Sequence, residues 1–174
     1  TLDRSSAASD VYKRQMHSPR RRGKPARMAF SLVIGGARSG KSAFAEKLIC
    51  ATRADYVRYG ATGPTTTNDP AWEERVALHQ ARRPSQWDTV VSCDPATLLA
   101  PFPTTGHSAL LLDDLPSWVT HQLSDLTDWE TCTPDQHAQL LDRANRFATD
   151  IAACAAQGID IVGVTLAAGG GDSP

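Results

Sequence analysis

The sequence predicts an α/β protein in which helices flank a parallel β-sheet. Short apolar runs typical of buried strands alternate with longer amphipathic stretches typical of helices, and this alternation produces parallel βαβ units. The 174 residues are 41% hydrophobic and 21% charged, as in one soluble globular domain. No apolar run in the sequence approaches the roughly 20 residues that a membrane-spanning helix needs, so we expect no membrane span.

Charge divides the chain near residue 28. Residues 1–27 carry eight basic and two acidic side chains, although the net charge of the whole chain is only -1. A basic arm of this kind can bind nucleic acid. However, residues 1–15 show no apolar periodicity and read as a linker or a non-native extension. We therefore expect a disordered arm at 1–27, no nucleic-acid binding, and one domain at 28–174.

The individual elements follow from local patterns in chain order. Apolar runs predict strands and a 3.6-residue apolar period predicts helices, whereas the composition of residues 60–70 is that of a loop. The predicted strands are Phe30–Ile34, Tyr56–Tyr59, Thr89–Val91, Ala109–Asp113 and Ile159–Thr165. The predicted helices are Lys41–Thr52, a helix capped by Asn68 or Asp69 that ends at about Arg83 before Pro84, Leu115–Leu123, and Pro134–Gln157.

The most specific motif lies between the first strand and the first helix. Residues 35–42 read GGARSGKS and match the phosphate-binding pattern G-x-x-x-x-G-K-[ST]. In this context backbone N–H groups and the helix N-terminus face the phosphates of a nucleotide, Lys41 reaches the β- and γ-phosphates, and Ser42 binds Mg²⁺. The predicted nucleotide-binding residues are Gly35, Gly36, Ala37, Arg38, Ser39, Gly40, Lys41 and Ser42.

An acidic residue ends the clearest buried strand, ALLLD at 109–113. A carboxylate at that end of a strand, beside a phosphate-binding loop, is placed to hold Mg²⁺. We therefore expect Asp113 to be a magnesium ligand, whereas alternation along the strand directs Asp114 elsewhere. The fold class is accordingly a parallel sheet of the P-loop NTPase type.

A histidine lies among arginines in the segment 72–87. Helical spacing places Arg75, His79 and either Arg82 or Arg83 on one stripe. Such a histidine can be a structural or solvated residue. It can also be a nucleophile toward an α-phosphate, because neutral imidazole is a competent nucleophile near pH 7. The spacing alone does not decide between these two interpretations.

Together the motifs resemble one family of transferases. GGARSGKS, YGAT at 59–62, RVALHQARRP at 75–84, Trp87 and LLLDDLPSWVT at 110–120 are similar to the bifunctional adenosylcobinamide kinase / adenosylcobinamide-phosphate guanylyltransferase family. The resemblance implies a RecA-like P-loop fold and two reactions of cobalamin biosynthesis. In the first, a nucleoside triphosphate phosphorylates adenosylcobinamide. In the second, GMP passes from GTP to adenosylcobinamide phosphate through a guanylylated histidine.

The resemblance also assigns residues and partners. It makes His79 the guanylylated histidine, adds Lys41 and Asp113 as catalytic residues, and places Arg82, Arg83 and Pro84 near the nucleotide. It implies Mg²⁺, with ATP and GTP as substrates, and a homo-oligomer. A cytoplasmic location fits four widely spaced cysteines without a CxxC pair.

The sequence departs from the family near its end. Leu166 and Ala167 stand where the family has Asn and Glu, and the family continues with a further helix and strand, so we expect the sheet to lack its last helix and strand. Two alternatives stay open: another small-molecule P-loop kinase that does not transfer GMP, and an inactive nucleotide-binding fragment.

Overall fold

A five-stranded parallel sheet forms the centre of the molecule, as the sequence predicts. The computed structural model describes residues 29–62, 77, 83–126 and 131–167. The sheet order is β1-β5-β4-β2-β3, and every neighbouring pair is parallel. The strands are β1 (Phe30–Gly35), β2 (Tyr56–Ala61), β3 (Asp88–Val91), β4 (Ser108–Asp113) and β5 (Asp160–Leu166). This architecture is that of a P-loop NTPase-type α/β fold.

Four helices connect the described strands. They are α1 (Lys41–Thr52), α2 (Pro95–Leu98), α3 (Leu115–Leu126) and α4 (Pro134–Ala156). α4 begins at a capping box, in which the side chain of Thr133 accepts from the backbone N–H of Gln136 and the side chain of Gln136 accepts from that of Thr133. None of the described helices is long and apolar enough to cross a membrane.

Two local predictions differ from the structure. Residues 60 and 61 were assigned to a loop by composition, but they complete β2. Gly60 fits there because a Cβ atom would lie 2.9 Å from a methyl carbon of Leu98 and 3.1 Å from one of Leu112. α2 was not predicted, since four residues are too few to show a period; Asp94 caps it. Of the helix expected before Pro84, only Ala77 is described, and it is helical.

Helices cover both faces of the sheet, so the sheet separates two cores. β4 contributes side chains to both of them. One core lies between the sheet and α1, and its buried residues are Val33, Ala45, Ile49, Val57, Tyr59, Trp87, Ala109, Leu111, Val162 and Val164. The other lies on the side of α3 and α4, and its buried residues are Leu98, Leu110, Leu112, Trp118, Phe147, Ile159 and Ile161. Odd-numbered side chains of β4 therefore face α1, and even-numbered ones face α3 and α4.

β1 lies at one edge of the described sheet and pairs with β5. Its alternate side chains Phe30, Leu32 and Ile34 are 48%, 45% and 60% exposed, whereas Val33, on the face covered by α1, is buried. The strand that leads into the glycine-rich motif is thus covered on one face only by the described residues.

Candidate functional site

A glycine-rich loop joins the end of β1 to the start of α1. The φ angles are +56° at Arg38 and +81° at Gly40, in the left-handed region that glycine adopts most easily. At Gly35 a Cβ atom would lie 2.6 Å from the hydroxyl oxygen of Ser39, so a side chain there would force Ser39 to move. Gly40 caps α1 without a side-chain acceptor, so the first N–H groups of the helix can face a bound anion.

Lys41 adds a positive charge to this loop. It is the first residue of α1, and its Nζ atom lies 3.4 Å from the carbonyl oxygen of Gly36. Residues 36–40 are exposed. The ammonium group, the loop and the helix N-terminus therefore share a surface that phosphates can reach.

β4 brings a carboxylate to the same place. Because Ala109 and Leu111 pack in the core under α1, strand alternation directs the side chain of Asp113 toward α1 as well. Asp113 Oδ1 accepts a 3.1 Å hydrogen bond from the Oγ of Ser42, in the first turn of α1. The structure thus brings together the two residues that the sequence assigns to magnesium.

This pair fits the requirements of Mg²⁺ beside a nucleotide. Mg²⁺ prefers oxygen ligands, and at nucleotide sites it commonly binds one or two protein oxygens together with phosphates and water. Ser42 and Asp113 supply a hydroxyl and a carboxylate. Among the described residues there is no cluster of three or more His, Cys, Asp or Glu that could hold a metal ion.

Tyr59 is a site residue for which the sequence alone indicates no role. It lies on β2 opposite Leu111 of β4, and its hydroxyl donates a 2.6 Å hydrogen bond to Asp113 Oδ2. Burial raises the pKa of Tyr59 far above its ordinary value, and the negative charge and hydrogen bond of Asp113 raise it further. The phenol therefore stays protonated and remains a donor. The available signal was a tyrosine near the end of a buried strand.

Arg83 contacts the same tyrosine. Its guanidinium carbon lies 3.3 Å from the centroid of the Tyr59 ring, within the range of a cation–π interaction. Its Nε atom is buried, and no described residue forms a hydrogen bond with it. Pro84 follows, and its carbonyl oxygen accepts from the N–H of Trp87. The described part of the structure thus places Arg83 at the site, whereas His79 and Arg82 lie outside the described residues.

Asp114 forms structural hydrogen bonds and does not face the glycine-rich loop. Its Oδ1 accepts from the N–H of Ser117 in the first turn of α3, at 2.9 Å, and its carbonyl oxygen accepts from the hydroxyl of Thr62. As alternation predicts, the two adjacent acids point in different directions. Asp113 faces the glycine-rich loop, and Asp114 caps a helix.

Comparison with known protein families shows to which family this chain belongs. The sequence profile of the cobinamide kinase / cobinamide phosphate guanyltransferase family, CobU, matches residues 31–168. The chain belongs to this family. The match contains the glycine-rich loop, Tyr59, Arg83 and Asp113, so CobU membership and the described geometry concern the same part of the chain.

One curated relative supports the same assignment. The chain is 39% identical over 94 residues to the bifunctional adenosylcobalamin biosynthesis protein CobP of Pseudomonas aeruginosa. The aligned part makes up 53% of this chain and 51% of the relative. The chain thus spans about half the length of this curated relative.

Proposed function

We propose that this chain is a transferase of cobalamin biosynthesis that phosphorylates adenosylcobinamide and then transfers GMP to the product. The observation that carries the proposal is the contact between Ser42 and Asp113, which joins the P-loop helix to a strand-end carboxylate. Family membership supplies the substrate class, since the matching family is described as a kinase and guanyltransferase of cobinamide.

The first proposed reaction is phosphoryl transfer from ATP or GTP. A hydroxyl oxygen of adenosylcobinamide would attack the γ-phosphorus, the bond from that phosphorus to the β-phosphate oxygen would break, and the hydroxyl would lose its proton. Lys41 and the N–H groups of the loop would stabilise the negative charge that builds up on the phosphate oxygens. Gly35–Ser42 would hold the triphosphate.

Ser42 and Asp113 would hold Mg²⁺ in this complex. When bound, Mg²⁺ neutralises charge on the phosphates and orients them for transfer. The residues themselves contribute fixed positions, because Ser42 lies in the first turn of α1 and Asp113 is hydrogen-bonded at both carboxylate oxygens.

The second proposed reaction uses His79 as a nucleophile. A neutral imidazole nitrogen would attack the α-phosphorus of GTP and release pyrophosphate, leaving GMP on the histidine. A phosphate oxygen of adenosylcobinamide phosphate would then attack the same phosphorus and free the histidine. Arg82 and Arg83 would bind the phosphates near it, and the position of Arg83 on the Tyr59 ring supports the presence of this segment near the loop.

Covalent labelling tests the second reaction. The chain is incubated with Mg²⁺ and α-labelled GTP, beside the variants His79→Asn and His137→Asn; His137 is an exposed histidine of α4. We expect an acid-labile, base-stable label on the parent and on His137→Asn but not on His79→Asn. Label that persists on His79→Asn would contradict the assignment of His79.

A kinase assay separates the main alternatives. If γ-labelled ATP phosphorylates adenosylcobinamide but no GMP label forms, the chain is a small-molecule kinase without guanylyl transfer. If fluorescent GTP binds and neither product forms, the chain is a nucleotide-binding chain without turnover. The proposed function requires both products.

We also propose a cytoplasmic homo-oligomer that does not bind nucleic acid. The free thiols of Cys50, Cys93, Cys132 and Cys154 support a reducing compartment. Light scattering of the purified chain measures the assembly. DNA and RNA binding before and after removal of residues 1–27 tests whether the basic arm contributes any affinity.

A further inference from the structure

We propose that Tyr59 is a positioning residue for Asp113, and that its hydroxyl fixes the carboxylate in the orientation that binds Mg²⁺ with the nucleotide. The inference rests on the proposed nucleotide site and assigns a specific task to a residue outside the phosphate-binding motif. It depends on the contacts of the two carboxylate oxygens and on how firmly the tyrosine itself is held.

The two oxygens of Asp113 have different partners. Oδ1 accepts from Ser42 at 3.1 Å, and Oδ2 accepts from Tyr59 at 2.6 Å. The terminal torsion of an aspartate is broad and has no sharply preferred angle, so a single contact leaves the carboxylate free to rotate. The Tyr59 hydroxyl removes that freedom and keeps Oδ1 directed to Ser42. A hydrogen-bonding partner behind a metal-binding carboxylate typically acts in this way.

The tyrosine is fixed by its surroundings. Its side chain is almost fully buried, at 2% exposure, in the core that contains Val57, Ile49 and Trp87. The Arg83 guanidinium stacks on its ring. Since β2 and β4 are paired neighbours, the sheet sets the spacing between Tyr59 and Asp113. The hydroxyl therefore acts as a fixed donor.

Tyr56 provides a matched control on the same strand. Its hydroxyl also donates to a carboxylate, that of Asp88, but Tyr56 lies three residues before Tyr59, and strand alternation places it on the opposite face of the sheet. Tyr56→Phe and Tyr59→Phe thus remove the same atom and the same kind of hydrogen bond. They differ in which carboxylate is affected, and Tyr56→Phe also removes the acceptor of Arg58 Nη2, a contact outside the nucleotide site.

The test measures how strongly Mg²⁺ tightens nucleotide binding. The Kd of the non-hydrolysable analogue β,γ-imido-GTP is measured with EDTA and with Mg²⁺ for the parent, Tyr59→Phe and Tyr56→Phe. We expect Tyr59→Phe to keep the Kd measured in EDTA and to lose about tenfold or more of the Mg²⁺-dependent tightening, as loss of such supporting partners typically costs. Tyr56→Phe should match the parent under both conditions.

A double variant shows whether Tyr59 acts through Asp113. If it does, Tyr59→Phe in an Asp113→Asn background should cause no further change in the Mg²⁺-dependent tightening. For each protein the Kd with Mg²⁺ is divided by the Kd of the same protein in EDTA. The comparison therefore stays informative even when the single variant is less stable.

The outcomes separate the inference from the proposed function. Full Mg²⁺-dependent tightening in Tyr59→Phe would overturn the positioning role while leaving the proposed function intact. Equal losses of affinity in EDTA and with Mg²⁺ would make Tyr59 a general structural residue and would also overturn it. A parent chain that binds no nucleotide would contradict the proposed function itself, and the role of Tyr59 with it.

Discussion

Ser42 and Asp113 are 71 positions apart in the sequence, and their side-chain oxygens lie 3.1 Å apart. Ser42 belongs to the helix that follows β1, whereas Asp113 ends β4, and β5 lies between these two strands in the sheet. α1 crosses that gap because its buried face packs in the core formed with β1, β4 and β5. The distance between the two proposed magnesium ligands therefore depends on how α1 packs against the sheet.

Asp113→Asn should abolish Mg²⁺-dependent phosphoryl transfer while the chain stays folded. The amide keeps the shape of the side chain but removes the negative charge that Mg²⁺ requires, so we expect a loss of about 100-fold or more in kcat/KM, on the order of 3 kcal/mol of transition-state stabilisation. Steady-state kinetics with ATP and adenosylcobinamide measure this loss. Activity within threefold of the parent would remove Asp113 from the site.

Asp114→Ala should lower the stability of the fold but leave the Mg²⁺ dependence of nucleotide binding unchanged. Loss of the acceptor for the Ser117 N–H weakens the start of α3, and loss of a helix cap typically costs about 1 kcal/mol of stability. Urea denaturation measures this cost. The Mg²⁺ dependence of nucleotide binding should remain that of the parent; if it falls as far as in Asp113→Asn, the division of roles between the two acids is wrong.

Arg58→Lys should destabilise the fold although the charge is kept. The buried Arg58 guanidinium donates to the carbonyl oxygen of Ala100 at 2.6 Å and to the Tyr56 hydroxyl at 3.0 Å. It also stacks on the Phe102 ring, with 4.5 Å between its carbon and the ring centroid. A lysine cannot reproduce this fork of donors, so we expect a loss of about 1–3 kcal/mol in the free energy of unfolding.

The exposed Arg146 is a control for that substitution. It forms a surface pair with Asp142 one helical turn away, and surface pairs of this kind contribute little. Arg146→Lys should change the free energy of unfolding by less than about 0.5 kcal/mol. Equal effects of the two substitutions would show that burial of Arg58 does not matter.

The contribution of Asp88 to stability should depend on pH. The hydrogen bond from Tyr56 lowers the pKa of Asp88, and Arg58 lowers it further through a hydrogen bond and its charge. A carboxyl group with a lowered folded-state pKa stabilises the fold above its unfolded pKa of about 3.9, and that contribution is lost as the pH falls through the folded value. Asp88→Asn should therefore lower Tm at pH 7 and lower it less below about pH 4.

Thermal unfolding at several pH values measures this effect. Asp142→Asn, at an exposed surface pair, should change Tm little at every pH. A Tm loss in Asp88→Asn that stays constant between pH 7 and pH 3 would show that the charge of Asp88 does not contribute.

The sequence predicted the elements whose patterns are local. β4 was predicted because ALLLD is apolar until its acid, and alternation from Ala109 and Leu111 also predicts the direction of Asp113. The 3.6-residue apolar period that predicted α4 is likewise a local feature. Gly60 and Ala61 were assigned to a loop because composition favours it, whereas pairing with β4 and close packing against Leu98 make them strand.

Contacts between distant segments could not be predicted in this way. Tyr59 belonged to a motif that carried the resemblance, but its hydrogen bond to Asp113 exists only because β2 and β4 are neighbours. The stacking of Arg83 on Tyr59 joins segments that no periodicity relates. The role of His79 stays a prediction.

The position of β1 at the edge of the described sheet should make its amide hydrogen exchange sensitive to nucleotide binding. Edge strands exchange their amide hydrogens through small local openings that cost less than global unfolding, and the described structure pairs β1 with β5 alone. A nucleotide held by the loop at the end of β1 would oppose such openings by mass action. Deuterium uptake along β1 should therefore slow in proportion to the fraction of chains that hold a nucleotide. Exchange in the strand that precedes the phosphate-binding loop would then measure nucleotide binding at that loop.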